Sequence, residues 1–147
     1  MTAGANTFNI GRDGLQLTVF DPLFGQVTFN GLTGFSSKPR YKKLESEAFD
    51  GTTRFRTVPN GHEGTFEIDR QDASVDAFFA QKEANFFAQL LPTQATIAQT
   101  VSELDGTVTQ WMYTNVELAL DNAGDWKSLD KVALQISFQA SKRIRTA

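Results

Sequence analysis

No cysteine occurs among the 147 residues of this chain, which excludes a disulfide framework and any thiolate metal site, and makes the fold indifferent to the redox state of its compartment. Histidine is nearly as scarce. With His62 as the one imidazole, Cys–His nucleophilic pairs and most zinc sites are excluded, and any Ser–His–Asp arrangement would have to be built on that residue. Nowhere do about 18 uninterrupted apolar residues appear. The opening Met1-Thr2-Ala3-Gly4-Ala5-Asn6-Thr7 has neither the basic start nor the apolar stretch of a secretory signal. The expectation is a soluble protein made in the cytoplasm, with no membrane contact. A basic excess is also missing: 14 Lys and Arg against 17 Asp and Glu leave a net charge of −3, the wrong sign for a surface that grips nucleic acid.

What the chain has in quantity is phenylalanine, thirteen against two tyrosines and two tryptophans, at a mean hydropathy of −0.31. Phenylalanine has no polar handle, so complete burial is favoured, either in a Phe-rich core or at contacts between subunits. The length predicts one domain, residues 1–147, large enough to bury a core without covalent staples. No internal repeat, low-complexity tract or interdomain linker is evident.

Alternation marks the strands. Leu15, Leu17 and Val19 alternate with Gln16, Thr18 and Phe20 until Asp21-Pro22 stops the ladder. Residues 26–35 read as a second strand, kinked where Gly31 and Gly34 interrupt it. Residues 36–51 have no clean period; they carry Lys38, Arg40, Lys42 and Lys43, then Glu45, Glu47 and Asp50, and read as a long projecting loop or hairpin. A short strand over 54–58 and a Pro59-Asn60-Gly61 turn follow, then a strand with Phe66 and Ile68 on one face and Glu67 and Asp69 on the other. Asp72 or Ser74 caps a helix over 73–87, whose stripe Val75, Phe78, Phe79, Lys82 and Phe86 predicts a helix laid on a sheet. Residues 94–104, the Asp105-Gly106 turn, residues 108–120 and the alternating Val132, Leu134, Ile136 and Phe138 complete the pattern. The fold class is mainly β, a β-sandwich or barrel-like subunit with one flanking α-helix and a projecting loop.

Chemistry is hard to place on these residues. No nucleophile elbow accompanies His62, which reads as a solvated turn residue. Same-strand carboxylates such as Glu67 with Asp69 or Glu45 with Glu47 are ordinary on a wet face. Asp121, Asn122, Asp125 and Asp130 do not follow the spacing of a calcium loop, and Gly11-Arg12-Asp13-Gly14 lacks the lysine of a phosphate loop. No catalytic residue, metal or cofactor is expected. The basic cluster reads as a solvated face or as an electrostatic contact with carboxylates of a neighbouring copy.

The run Val58-Pro59-Asn60-Gly61-His62-Glu63-Gly64-Thr65-Phe66-Glu67-Ile68-Asp69-Arg70, followed by Asp72, Ser74 and Phe78-Phe79, resembles the central segment of phage tail tube subunits, strongly in the middle third and loosely elsewhere. The resemblance implies a structural subunit, not an enzyme. It implies homohexameric rings whose inner strands join into one barrel and which stack into a hollow tube conducting double-stranded DNA from capsid to host without specific binding. Six copies at −3 would carry about −18 per ring. A tape-measure protein, a baseplate hub, a tail terminator and a contractile sheath are the partners implied, in a virion tail assembled in the host cytoplasm. Inter-subunit contacts are expected at Lys38, Arg40, Lys42, Lys43, Glu45, Glu47 and Asp50, and the helix–sheet core at Val75, Phe78, Phe79 and Phe86. Tubes of tailocins and type VI secretion systems remain open, as does a β-sandwich module binding carbohydrate or peptide.

Overall fold

The computed structural model describes residues 7–27, 29 and 31–147. After a 3-10 turn at Gly11–Gly14, the chain forms β1 (Gln16–Asp21), β2 (Gly25–Val27), β3 (Leu32–Glu47), β4 (Thr53–Asp69), α1 (Ser74–Phe87), β5 (Ala95–Ser102), β6 (Val108–Asn122), β7 (Ala133–Ala140) and β8 (Lys142–Arg145). Pairing is antiparallel throughout, in the order β2-β1-β5-β6-β7-β4-β3, with β8 also on β6. The fold is therefore mainly β with one α-helix among the described residues.

Strand β6 belongs to both layers of the sandwich. Its first part pairs with β5 and β8, and residues 117–122 pair with β7. The handover falls at Asn115, whose φ of 52° sits in a bulge where Tyr113 lies opposite Ile97 and Val116 opposite Ala95. One extra residue flips the side-chain alternation. Trp111 and Tyr113 before the bulge and Val116, Leu118 and Leu120 after it consequently all face the core.

That core is aromatic at its centre. Phe35 stacks on Phe138 at 5.6 Å, while Phe66 and Tyr113 each stand 5.5 Å from the Phe138 ring. Such pairs contribute about 0.5–1.5 kcal/mol each beyond area burial. Gly64 makes the packing possible, since a Cβ there would fall 2.7 Å from the Phe138 ring and run into the carbonyl of Ser36.

Three sequence expectations need correction, and of the loop or hairpin read over 36–51 it is the hairpin that forms. Residues 26–35 are not one kinked strand, because β2 stops at Val27 and β3 starts at Leu32; Thr28 and Asn30 lie outside the described residues. Pro59-Asn60-Gly61 is not a turn: β4 runs straight through it, and Gly61, at φ 88°, absorbs a bulge in which Pro39 pairs with His62 but Tyr41 with Pro59. Positive φ, read from the sequence as a reversal, serves here to keep a long strand in register. Residues 36–47 consequently extend β3 as one side of a hairpin, and the projecting loop is confined to its tip. Finally, the chain adds β8 after the strand expected to be last.

Helix α1 has Ala73 at its N-cap position with no side-chain cap, so neither Asp72 nor Ser74 occupies the expected place; the Asp72 carboxylate instead accepts from both the Ser74 amide (3.0 Å) and its hydroxyl (2.6 Å). Asp76, in the first turn, accepts from Arg70 Nε at 3.0 Å. Val75 and Phe78 are buried, with Phe78 edge-on to Phe24 and Phe79 at 5.1 Å each. Phe79 is half-buried against the core. Phe86 departs from the expected helix–sheet role: it lies on the same stripe but is 74 % exposed, because the last turn of α1 overhangs the body of the sandwich.

Candidate assembly surfaces

Three surfaces stand out, beginning with the hairpin arm. Residues 41–47 of β3 pair only with 53–59 of β4, whereas 62–69 of β4 also pair with β7. Seven residues at about 3.4 Å each carry the tip roughly 20 Å beyond the sandwich. Alternation sorts the charge cluster of the sequence into two faces. Lys42, Leu44 and Ser46 stand opposite Val58, Arg56 and Arg54 on one face; Lys43, Glu45 and Glu47 stand opposite Thr57, Phe55 and Thr53 on the other. All of these are exposed except the half-buried Val58. Arg40 reaches Glu63 at 3.9 Å, an exposed pair contributing about 0–1 kcal/mol.

At the tip, the Ala48 amide donates to Thr52 O and the Gly51 amide to Ala48 O, while the Thr52 amide donates to Asp50 Oδ1 at 3.0 Å. Those bonds from Thr52, backbone first and hydroxyl second, hold the Asp50 carboxyl below its usual pKa. The β5–β6 turn repeats the same bonds on Glu103-Leu104-Asp105-Gly106-Thr107. In both turns an apolar residue precedes Asp-Gly-Thr, and at the arm tip it is Phe49, fully exposed.

The second surface is the outward face of β6-β7-β4-β3. Register aligns three cross-strand rows: Lys38, Glu63, Gln139 and Glu117; Ser36, Thr65, Ser137 and Ala119; and Gly34, Glu67, Gln135 and Asn122. No aromatic or large aliphatic side chain occurs in them, and Lys38 is the one cation against three glutamates. The face carries a shallow hollow of about 540 Å³. Both edges of this layer are open among the described residues: β3 ends the strand order, and residues 117–122 of β6 pair on one side only. Such edges recruit further strands unless covered.

The third surface is an apolar cleft of about 600 Å³ under the overhanging end of α1, walled by Leu23, Phe24, Phe86, Leu90 and Leu91 with Lys82 among them. The helix ends with the Leu90 amide donating to Asn85 O and Gln89 at φ 60°, the left-handed cap that folds the following residues back beside the last turn. Asp21, buried at the end of β1, accepts from the Leu23 amide at 2.8 Å and the Thr93 hydroxyl at 3.2 Å. These bonds tie the two flanks of the cleft together.

Among the described residues, no catalytic constellation assembles around His62. It is not a solvated turn residue: it lies within β4, half-buried, its ring 6.2 Å from Tyr113 and its Nδ1 buried without a partner among the described residues. Burial first and the Arg143 charge second lower its pKa from 6.5. Arg143 itself lies 3.6 Å over the Trp111 ring. Among the described residues no group of three or more His, Asp or Glu forms a metal cluster. Of the residues weighed for calcium, Asp121 accepts from the Ser137 hydroxyl and Asn122 from the Gly124 amide.

Sequence reasoning missed Phe49, Phe87, Leu90, Leu91 and the two arm arginines, Arg54 and Arg56. The available signal was the paired Asp-Gly-Thr turns, and the apolar residues Phe86, Phe87, Leu90 and Leu91 continuing past the helix end.

No family model matches the chain, and no curated protein matches it either. Solved structures do. The chain is similar to one in the sheath/tube terminator of an extracellular contractile injection system, PVC, in the extended state, with a TM-score of 0.62 at 16 % identity over 97 % of this chain and 100 % of that one. A chain of the anti-feeding prophage cap, which terminates the tube, gives 0.60 at 16 % identity over 99 % and 95 %. One from the PVC sheath–tube complex gives 0.56 at 15 % identity over 90 % and 88 %. At such identities the likeness establishes a shared fold.

Proposed function

We propose that this chain is a structural subunit of a phage-tail-like tube, and that its rings stack into a hollow conduit. The observation that carries the reading is the shared fold with chains of tube-bearing contractile particles over nearly the whole of both chains. Two further features support it. An open four-stranded layer with one edge at β3 and the other at residues 117–122 of β6 can close only by joining copies edge to edge, which is a cyclic, heterologous contact. Six copies would then turn their small, polar, mildly acidic outward faces to a shared bore. A wall without a basic stripe or aromatic platforms offers DNA few phosphate contacts and no stacking surfaces, so the polymer passes without being held.

On this reading the work is done by geometry, and no residue acts as a catalyst. The tube belongs to the tail of a particle, with a tape-measure protein, a baseplate hub, a terminator and a sheath as partners, and double-stranded DNA as the cargo in a phage. A tailocin or type VI-like injection tube uses the same geometry with other cargo. A second reading, a terminating ring in place of a repeating one, is favoured by the likeness to the terminator and cap assemblies. Electron microscopy of the concentrated purified protein separates these readings. Long tubes support the first and isolated rings the second. Uniform monomers at high concentration would overturn both and return a β-sandwich binding module to the front.

A further inference from the structure

Phe49 and the cleft under α1 are complementary. The tip presents one fully exposed aromatic ring between two carboxylates, Glu47 and Asp50. The cleft presents apolar walls, about 600 Å³ of space and one amine, Lys82 Nζ, which is buried without a hydrogen-bond partner among the described residues and lies 5.5 Å from the Phe78 ring. A buried ammonium lacking a counter-charge is costly and favours an incoming carboxylate. Glu117 also lines the cleft, but no ion pair joins it to Lys82 among the described residues.

We propose that the cleft under α1 receives the arm tip of a second copy of this chain, with the Phe49 ring seated among Phe86, Leu90 and Leu91 and the tip carboxylates facing Lys82. The occupant belongs to another copy, because the ladder from Tyr41↔Pro59 to Glu47↔Thr53 holds the tip away from its own body and leaves its own Phe49 uncovered. Donor and acceptor lie on one chain, so the contact is heterologous and can repeat from copy to copy, along the axis when the edge pairing has already closed each layer. It thus gives the proposed tube its ring-to-ring joint and rests on that reading.

Mixing two variants with opposite defects tests this. Phe49→Ser removes the tip but keeps the cleft; Leu91→Asp keeps the tip and sets a like charge against its carboxylates. Both positions are exposed, and unchanged melting points verify the fold. Each variant alone should show at least a tenfold loss of assembled material by light scattering. Their mixture should form a complex of twice the mass of either and stop there, because the remaining tip and cleft are both defective. In addition, the cysteine-free chain permits clean cross-linking: Phe49→Cys mixed with Leu91→Cys should form a disulfide heterodimer on oxidation, and Phe49→Cys mixed with Ser128→Cys should not. If wild type assembles and both variants assemble equally well, or the mixture fails to double in mass, or the cross-link fails to form, the tip-in-cleft contact is wrong and the tube reading stands. If wild type itself stays monomeric, the tube reading falls and takes this contact with it.

Discussion

Phe78 and Phe86 sit two turns apart on one stripe of one helix, and truncating each to alanine should separate folding from assembly. Phe78 is 5 % exposed and meets Phe24, Phe29 and Phe79 at centroid distances of 5.1, 6.4 and 5.1 Å. Losing a ring so enclosed removes its transfer free energy and leaves a cavity, together about 3–5 kcal/mol. For a chain of this length each kcal/mol moves the melting point by about 2–4 °C, so Phe78→Ala should melt roughly 6–20 °C lower. Phe86 is already largely in water, and its truncation should stay within about 0.5 kcal/mol, or 2 °C. Its effect should appear in assembly, through the wall of the cleft. Calorimetry on freshly dissolved protomers, paired with light scattering, gives both readouts. Equal losses of melting temperature in the two variants would refute the reasoning, because they would place Phe86 in the protomer core.

Further outcomes follow from the same geometry. Gly64→Ala should destabilise by about 1–3 kcal/mol or abolish folding, since its Cβ meets the Phe138 ring and the Ser36 backbone at once; chemical denaturation measures it. Lowered pKa at His62 means that the unfolded chain takes up a proton near 6.5 while the folded chain resists it to a lower pH. The associated stability is present above about pH 6.5 and is lost as pH falls through the folded value. His62→Gln should flatten that part of the melting-temperature profile. Lys42→Glu with Lys43→Glu reverses one charge on each face of the arm and should leave the protomer's melting point unchanged while suppressing tube growth, more so at low salt. Ser137→Lys with Gln139→Lys places cations in the outward wall and should make assembled tubes co-sediment with DNA at about 50 mM salt and release it near 200 mM; tubes that ignore DNA would remove this face from the bore.

The fold was legible wherever burial imposes a period. Phe66 and Ile68 on β4 and Leu134, Ile136 and Phe138 on β7 are buried in strict alternation, and their strands could be read directly. It was illegible where two glycine uses share one spelling. Pro59-Asn60-Gly61 contains the residues of a turn, but a positive φ is equally the requirement of a bulge, and the choice depends on whether Tyr41 and Pro39 find partners on the same strand. That is tertiary information. The arm strands were hidden for the opposite reason: exposed on both faces, residues 41–47 carry no apolar alternation to detect.

The assembly surfaces were harder still, because a hydrophobic stripe does not state whose surface it covers. Val75 and Phe86 have nearly equal helical phase, and the difference in their burial comes from what lies beneath each turn, the core cluster under Val75 and the open cleft beside Phe86. The phenylalanine excess accordingly divides between two destinations. Phe35, Phe66, Phe78 and Phe138 hold the protomer together, whereas Phe49, Phe55, Phe86 and Phe87 remain in water on the arm and at the end of the helix. A solitary protomer gains nothing from that exposure. A fully buried phenylalanine contributes about 1.5–3 kcal/mol relative to an exposed one, so covering even two of the four at every joint would supply about 3–6 kcal/mol. Association has first to offset the lost freedom of the docked copies, estimated at about 4–15 kcal/mol. The apolar joint alone therefore falls near or below threshold, and growth requires the edge pairing of β3 with β6 as well. Edge pairing gathers copies into one layer, where the joints of all its members act together, so disabling the joint should leave separate layers, disabling the edge pairing should leave separate protomers, and neither variant should grow into tubes.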